Sequence, residues 1–451
     1  MKRIFILLSC TAALLLGACG KDSSLPAATG KASIRAINAI KTSGEFNFLI
    51  EERLIGPAAY AAATASAQYD DLDYTFNIEV FYAGETAFRR IASRFIDFEA
   101  DKDYTLLVSG TLDNPALTLW VGDTRTFDEA DTVFEAKFAH ASASLGALDY
   151  YFADPTVAPA LGDQVATLSF GEVSAATDLE AGDFVLTITT ANNPTDVVYV
   201  SDTTTIGAQG AYIFIPFEGS AASTAPVVVR AINRIGNSIS LPDPRFLPTV
   251  QFINASIDLG LSDIYDDELL TSRLVDNQDY LDVSAELEIP AGANTFYYTP
   301  SEDTAAVTLE TSLTAFSGTR YRLVASGVAG AFSGTSLVPD RRPVATYAKL
   351  LPFQVSNNFG FVDIYVVAAD TSIDDANPVL FGLAPTQLGA TVRLAAGSFD
   401  LYVTEFTQKV ALAGPYRIDL ALGDVVDMIV VDKADDPAVL DVLFLSGGPT
   451  P

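Results

Sequence analysis

Histidine is the side chain best suited to exchanging protons near neutral pH, and this chain of 451 residues contains only one, His140. It lies in the stretch KFAHASASLGALDYYF, and a lone histidine makes catalysis or metal binding the first chemistry to consider. A histidine ring also offers a donor and an acceptor that can hold the backbone of a turn. We favour this structural role, because the matching positions elsewhere in the chain hold asparagine, which cannot serve as a base.

No motif marks a metal site or a hydrolytic site. Zinc requires clusters of histidine and cysteine, which the sequence lacks. Acidic clusters begin at Asp70, Asp266, Asp374 and Asp435, but none has the ligand spacing of an EF-hand, so we interpret them as solvated loops. We therefore predict no catalytic residue, no metal site and no cofactor. A hydrolase whose two carboxylates are unmarked among 57 acidic residues is the third alternative.

The charge of the chain argues against one class of partner. The formal net charge is −31, and the acidic residues are spread along the chain rather than gathered in a tail. Nucleic-acid phosphates recruit lysine and arginine, so we predict no nucleic-acid partner. Dispersed acidity is typical of a soluble surface that is kept apart from others by self-repulsion.

The N-terminus has the pattern of a secretory signal. Basic residues precede an apolar run at 4–18 that is too short to span a bilayer. The sequence LGAC at 16–19 resembles the lipobox of bacterial lipoproteins, which implies cleavage after residue 18 and lipidation of Cys19 as a membrane anchor. Cys10 would leave with the signal, so we predict no disulfide. Gly20 in place of aspartate favours the outer membrane, with its periplasmic and surface faces both open.

One segment recurs four times in the chain. The copies are IRAINAIKTSGEFNF from Ile34, AKFAHASASLGALDY from Ala136, VQFINASIDLGLSDI from Val250 and AKLLPFQVSNNFGFVDI from Ala348. The first three copies align without gaps, and the fourth needs two extra residues. A period of about a hundred residues is that of a whole domain rather than of a solenoid.

The repeat brings polar residues to two fixed positions. Asn38, His140 and Asn254 share the first position, where the alignment with two extra residues places Pro352 in the fourth copy. The second position, nine residues later, holds Asn47, Asp149 and Asp263, and the fourth copy has Asp363 there after its two extra residues. We interpret both as structural positions, and we expect the first to tie down the turn after the first strand of each unit.

The elements that hold these positions are short β-strands. Segments such as FVLTITT and YRLVAS alternate apolar and polar residues at period two, and no segment has a sustained helical period. This pattern predicts an all-β chain of four tandem immunoglobulin-like β-sandwich domains, each of seven to eight strands, after a lipoprotein signal peptide. Phe138 and His140 are expected to face the core, and Trp120 is expected to be a core residue. The outward face of the first strand is expected to hold Arg35, Lys137, Gln251 and Lys349.

The copies set the boundaries of the units. We predict a signal peptide at 1–18, a linker at 19–31, repeats 1 to 4 at 32–131, 132–246, 247–343 and 344–446, and a tail at 447–451. Linkers that a protease can reach are expected near 128–132, 241–248 and 339–345.

The repeat resembles a bacterial family, the domain of unknown function 4397. The likeness rests on HAS at 140–142, DYY at 149–151 and FGEVS at 170–174, and on NAS at 254–256 with DIY at 263–265. The resemblance implies a secreted, often lipid-anchored, β-sandwich repeat protein. It brings no known reaction and no catalytic residues.

These observations favour a non-enzymatic cell-envelope protein, lipid-anchored in the outer membrane, with a structural or adhesive role. The alternative is a surface module that binds a glycan or a protein. Binding predicts exposed aromatic residues that cluster in one set of loops, whereas hydrolysis predicts a cleft with paired carboxylates.

Overall fold

The structure is a computed structural model that describes residues 27–301, 303 and 306–446. Over these residues the chain is all-β, as the sequence predicts, and it folds as tandem β-sandwiches. The described residues include no helix that is long and apolar enough to cross a membrane. The signal peptide, Cys19 and the predicted tail at 447–451 lie outside the described residues.

Repeats 1 and 2 supply the first eighteen strands. The strands of repeat 1 are β1 (Lys31–Asn38), β2 (Phe46–Ile50), β3 (Arg53–Ala58), β4 (Ala67–Asp70), β5 (Asp73–Val80), β6 (Arg89–Asp97), β7 (Lys102–Gly110) and β8 (Pro115–Asp123). The strands of repeat 2 are β9 (Val133–Phe138), β10 (Leu148–Ala153), β11 (Ala166–Leu168), β12 (Thr177–Glu180), β13 (Gly182–Thr190), β14 (Val197–Val200), β15 (Thr204–Ile206), β16 (Ala211–Glu218), β17 (Val227–Asn233) and β18 (Ser238–Leu241). Repeat 2 exceeds the predicted eight strands because its sixth strand is split into β14 and β15, and β18 extends one edge.

Repeats 3 and 4 have eight strands each. The strands of repeat 3 are β19 (Thr249–Asn254), β20 (Ser262–Tyr265), β21 (Arg273–Gln278), β22 (Leu287–Glu288), β23 (Gly292–Pro300), β24 (Leu309–Ala315), β25 (Arg320–Val328) and β26 (Ala331–Leu337). The strands of repeat 4 are β27 (Ala348–Gln354), β28 (Val362–Ala368), β29 (Leu380–Leu383), β30 (Val392–Leu394), β31 (Gly397–Glu405), β32 (Ala411–Leu420), β33 (Val425–Lys433) and β34 (Asp436–Ser446).

Each repeat is built from two sheets with a shared topology. In repeat 1 the inner sheet has the order β4-β1-β7-β8, and the outer sheet has the order β3-β2-β5-β6. The first strand, β1, runs antiparallel to β4 and parallel to the seventh strand, β7. The inner sheets of the other repeats are β12-β9-β16-β17-β18, β22-β19-β25-β26 and β30-β27-β33-β34.

Apolar side chains from the facing sides of the two sheets fill the core of each repeat. In repeat 2, the Phe138 ring of the inner sheet lies 5.7 Å from the Phe152 ring of the outer sheet, centroid to centroid. Each fully buried aromatic or aliphatic side chain of this kind stabilises a fold by about 1.5–3 kcal/mol. The alternation seen in the sequence therefore identifies the strands correctly.

The second face of each inner sheet is also buried, because the inner sheets pack against each other in pairs. Repeats 1 and 2 form the first pair, whose interface includes Ile37, Leu107 and Trp120 of repeat 1 with Ile213 and Phe217 of repeat 2. Repeats 3 and 4 form the second pair. Its interface includes Ile253, Val324, Phe353, Ile429 and Val431.

This pairing corrects the expected outward face of the first strand. Arg35 and Lys349 are buried, and Lys137 and Gln251 are half-buried, because that face meets the partner repeat instead of solvent. Trp120 is buried in the interface rather than inside a sandwich. A period of two marks which residues share a face, but it does not distinguish water from a neighbouring sheet.

The two pairs stack end to end. The loop end of a repeat is defined here as the end that carries the turn between its first and second strands. At the loop end of repeat 1, the Ala345 N–H donates to the Thr42 carbonyl (2.9 Å). At the loop end of repeat 2, the Thr224 N–H donates to the Gly318 carbonyl (2.9 Å). The start of the second pair thus covers the loop ends of the first pair.

Candidate functional site

His140 lies two residues beyond β9 and is fully buried. The Ser142 N–H donates to its Nδ1 (3.3 Å), so Nε2 carries the ring proton and donates it to the Gly146 carbonyl (2.9 Å). Burial lowers the pKa of the imidazole, which keeps the ring neutral at neutral pH. Both ring nitrogens are therefore used to hold the turn between the first and second strands.

The equivalent asparagines make the same contacts. Nδ2 of Asn254 donates to the Gly260 carbonyl (3.0 Å), and its Oδ1 accepts the Ser256 N–H (3.0 Å). Nδ2 of Asn38 donates to the Gly44 carbonyl (3.3 Å). In each case the acceptor lies six residues after the side chain, so amide and neutral imidazole hold the same turn.

The fourth copy uses Gln354 at this position, and the placement of Pro352 there is wrong. Nε2 of Gln354 donates to the Gly360 carbonyl (2.8 Å), again six residues later. Gln354 also precedes Asp363 by nine residues, so the copy aligns without extra residues as LLPFQVSNNFGFVDI from Leu350. The spacing of nine residues, which all four copies share, is the signal that identifies this alignment.

Asp149 and Asp363 hold a second turn at the same end of the sandwich. Oδ2 of Asp149 accepts the Asn192 N–H (2.7 Å), and Oδ2 of Asp363 accepts the Thr407 N–H (2.9 Å). Asn192 and Thr407 both have a φ of 63°, in the left-handed region that non-glycine residues seldom adopt. Each carboxylate therefore stabilises a strained turn after the fifth strand.

The remaining two copies vary this second position. Oδ1 of Asp263 accepts the Asn277 N–H (2.9 Å), and the Arg273 guanidinium lies 3.1 Å from Oδ2. Asn47 is half-buried in β2 and lies opposite Glu79 of β5. The carboxylates singled out by spacing thus stabilise turns and strand edges within their own repeats.

Carboxylates of two acidic clusters accept hydrogen bonds from nearby backbone N–H groups. Asp71 accepts the Gly30 N–H (2.9 Å) and a hydrogen bond from the Thr29 side chain, and such bonds lower the pKa of this carboxyl to about 2. Asp267 accepts the Ser272 N–H (2.6 Å). Within the described ranges, no three His, Cys, Asp or Glu side chains are grouped to hold a metal ion.

An exposed aromatic cluster lies at the loop end of repeat 4. Phe361, Phe381 and Phe406 are 55%, 60% and 37% exposed. Their ring centroids are 5.6 Å apart for Phe361 and Phe406, and 4.8 Å apart for Phe381 and Phe406. This cluster could not be predicted from the sequence, because its members come from three separate segments that only the fold brings together.

The equivalent surface of repeat 1 is covered by polypeptide. In the outer sheets, Phe46 pairs with Val80 in repeat 1, and Val362 pairs with Glu405 in repeat 4. Phe81 and Phe406 directly follow Val80 and Glu405, so they occupy equivalent positions. The Phe81 ring lies 6.3 Å from the ring of Tyr347, which enters from the start of repeat 4. In the part of the chain that the structure describes, no further repeat lies over the loop end of repeat 4.

A second candidate site is a cavity of about 420 Å³ between repeats 1 and 2. Four of the 26 basic residues of the chain line it, namely Arg35, Lys137, Arg234 and Arg125, together with the only tryptophan. Arg35 is buried, and burial lowers the pKa of its guanidinium to about 10. This cavity could not be predicted from the sequence, because its lining comes from both inner sheets.

The fold and the repeated polar positions define a tandem β-sandwich repeat protein. Residues 248–365 match the model of a family described as a domain of unknown function (DUF4397), which confirms the resemblance over repeat 3 and the start of repeat 4. The Bacillus anthracis TIE protein is a similar solved structure, at 11% identity over 90% of this chain and 69% of that chain, with a TM-score of 0.15. No curated protein matches the chain.

Proposed function

We propose that this protein is a non-enzymatic, lipid-anchored component of the cell envelope with an adhesive role, and that the loop end of repeat 4 is its contact surface. The observation that carries the proposal is the exposed cluster of Phe361, Phe381 and Phe406. A contiguous apolar patch on an otherwise acidic, soluble surface typically marks an interaction site.

The position of the cluster along the molecule supports adhesion. The described chain enters at the start of β1, at the end of repeat 1 opposite its loop end. β27 begins at the loop end of repeat 1 and runs toward the loop end of repeat 4. A lipid on Cys19 would therefore hold the aromatic cluster at the far end of the molecule, two stacked repeats from the membrane.

The internal comparison favours a protein partner. At the loop end of repeat 1, the equivalent surface is covered by a polypeptide segment that contributes Tyr347 beside Phe81 and a hydrogen bond from the Ala345 N–H. Aromatic anchors surrounded by polar loops are typical of protein interfaces. A glycan is the alternative occupant that the test below distinguishes.

The test compares attachment between cells that display the full chain with its native N-terminus. The triple variant Phe361→Ser, Phe381→Ser, Phe406→Ser is expected to abolish attachment, whereas Phe95→Ser, which changes an exposed ring in repeat 1, keeps it. Protease treatment of the target cells is expected to remove attachment, and loss after glycosidase treatment alone would identify a glycan. Equal attachment of the triple variant and wild type would refute the adhesive proposal.

The lipid anchor is tested separately by feeding cells a labelled fatty acid. The protein is expected to incorporate the label through Cys19. If Cys19→Ala still incorporates the label, the anchor lies elsewhere and the orientation argued above fails.

A further inference from the structure

The cavity between repeats 1 and 2 contains a buried charge without a direct counter-charge. Nε of Arg35 donates to the Thr105 hydroxyl (3.1 Å), and Nη1 donates to the Asn233 carbonyl. Among the described residues, no carboxylate is in ion-pair contact with this guanidinium. Buried cations in proteins are normally paired, because an uncompensated charge loses its hydration without replacement.

The nearest carboxylates are already engaged by other groups. Oδ2 of Asp103 lies 3.3 Å from Nε of Arg234, and Oε1 of Glu135 lies 3.1 Å from Nζ of Lys137. The two charges within each of these pairs neutralise each other, so the positive charge of Arg35 is in excess. An anion that enters the cavity would meet a guanidinium that has already lost most of its water, so the desolvation cost on the protein side is paid during folding.

The second pair shows what occupies the corresponding space. The parallel ladders of the inner sheets place Thr105, Ile213, Arg322 and Asp427 at one shared position of the seventh strand. In the second pair, Arg322 and Asp427 form a buried ion pair across the interface, and Arg341 extends to within 3.9 Å of the same carboxylate. The first pair has only a hydroxyl and an aliphatic side chain at this position, and a cavity remains.

We propose that the cavity between repeats 1 and 2 binds a small organic carboxylate, whose anionic group pairs with Arg35 as Asp427 pairs with Arg322 in the second pair. The apolar part of the ligand would lie against Trp120 and Ile213, which also line the cavity. The volume of about 420 Å³ is within the range of small-molecule sites. Because the Lys137–Glu135 and Arg234–Asp103 pairs are each neutral, Arg35 contributes the excess positive charge at the cavity wall, which favours an anion in a chain of net charge −31.

Trp120 provides a built-in reporter for this site. It is the only tryptophan of the chain, and it lines the cavity while its Nε1 donates to the Gly171 carbonyl of repeat 2 (2.8 Å). Occupation of the cavity changes the surroundings of the indole, so intrinsic tryptophan fluorescence measures binding without a label. The melting temperature gives a second readout, because a ligand that binds only the folded state raises it.

The experiment titrates the full chain with acetate, succinate and cyclohexanecarboxylate, and with inorganic phosphate as the other class of anion. We expect saturable changes in Trp120 emission and a higher melting temperature with a carboxylate. Arg35→Gln is expected to raise the dissociation constant by at least about tenfold, because a charge-assisted pair is lost. The absence of a saturable change with all three carboxylates at concentrations up to about 10 mM would refute the proposal. A site with a millimolar dissociation constant would be mostly occupied at that concentration.

A matched pair of variants tests the analogy with Asp427. Thr105→Asp places a carboxylate beside Arg35 and is expected to bind the probe at least about tenfold more weakly than Thr105→Asn, which has the same shape without the charge. The Trp120 emission spectrum and the melting temperature verify that each variant folds. If Thr105→Asp does not fold, Arg35→Gln still tests the proposal. Equal affinities of the two Thr105 variants, or phosphate binding as tight as that of the carboxylates, would overturn the assignment.

Discussion

The first repeat pair carries Thr105 and Ile213 at the position where the second pair carries Arg322 and Asp427. The two interfaces are built from the same strands in the same register, and both bury apolar side chains from the facing inner sheets. They differ in their charges. The second interface is closed by an internal ion pair, whereas the first contains an unpaired arginine and a cavity.

This difference shows how a duplicated interface acquires a site. An interface that joins two sandwiches needs only apolar contact and satisfied polar groups. When the acidic member of a buried pair is absent, the neighbouring cation lacks an internal counter-charge and is available to bind an external anion. The stability of the second interface should therefore depend on its internal ion pair, whereas the first interface should depend on apolar contact.

The largest expected effect is on the second pair. Asp427→Ala removes the carboxylate from Arg322 and leaves an uncompensated buried charge, so we expect it to destabilise the fold by about 3–5 kcal/mol. Chemical unfolding monitored by circular dichroism measures the loss. The double variant Arg322→Met, Asp427→Leu is the control and is expected to recover most of it, because replacing a whole buried pair with apolar groups is often neutral. A single variant as stable as wild type would show that the pair does not hold this interface.

The next largest effect concerns the turn that closes each first strand. His140→Ala removes the acceptor of the buried Ser142 N–H and the donor to the Gly146 carbonyl, and it is expected to cost about 1–3 kcal/mol. His140→Asn is expected to stay near wild type, because Asn254 holds the same turn in repeat 3 with an amide. Asn254→Ala in the second pair should lose a similar amount. Thermal unfolding checks all three variants, and equal stability of His140→Ala and wild type would reopen a chemical role for the histidine.

The turn residues show which features of the fold can be predicted from the sequence. The repeat and the strand class are predicted correctly, and the spacing of nine residues places the first turn position in the first three copies, because each is a local pattern within one unit. The prediction at Pro352 is wrong because Gln354 has a longer side chain than the asparagines of the other copies, so residue type alone does not identify the position. Its hydrogen bond to the Gly360 carbonyl reveals the shared role, which the spacing of nine residues to Asp363 also indicates.

The sites themselves could not be predicted from the sequence. Phe361, Phe381 and Phe406 lie in three segments, and Arg35 meets its neighbours only when two inner sheets from different repeats pack face to face. A period of two assigned Arg35 to a solvent face, since the pattern of an interface strand is the same as that of an exposed strand. Pairing of whole domains is a tertiary property that strand periodicity does not encode.

A smaller effect is expected from pH. Burial lowers the pKa of His140 below its usual 6.5 in the folded chain, whereas the unfolded chain binds a proton at about that pH. The unfolded state therefore binds more protons below pH 6.5, so stability is fully present above that pH and falls as the pH drops, by at most about 1.4 kcal/mol per pH unit.

The variant His140→Asn isolates this pH effect in the first pair. Melting curves at pH 7 and pH 5.5 are expected to show a larger decrease for wild type than for His140→Asn, because the amide does not titrate. The second pair contains no histidine and should not contribute a comparable change near pH 6.5. An identical decrease in both proteins would show that the ring does not stay neutral in the folded state.

The smallest effect on stability is expected from cutting the linker within the first pair. Residues 128–130 are exposed, whereas Arg341, Arg342 and Val344 of the linker within the second pair are buried. Nη1 of Arg342 also donates to the Lys41 carbonyl (2.8 Å), which ties the second linker to repeat 1. A protease needs an accessible, flexible segment, so it is expected to reach the first linker and not the second.

Limited proteolysis of the native chain is therefore expected to cut within 128–132 while 339–345 stays intact. The cut chain should keep both pairs together and retain its melting temperature, because the apolar interface that joins repeats 1 and 2 does not pass through the cleaved loop. A denaturing gel should show two fragments where native size-exclusion chromatography shows one peak of unchanged size. Single repeats that elute separately, or a first cut at 339–345, would contradict the face-to-face packing on which the comparison of the two pairs depends.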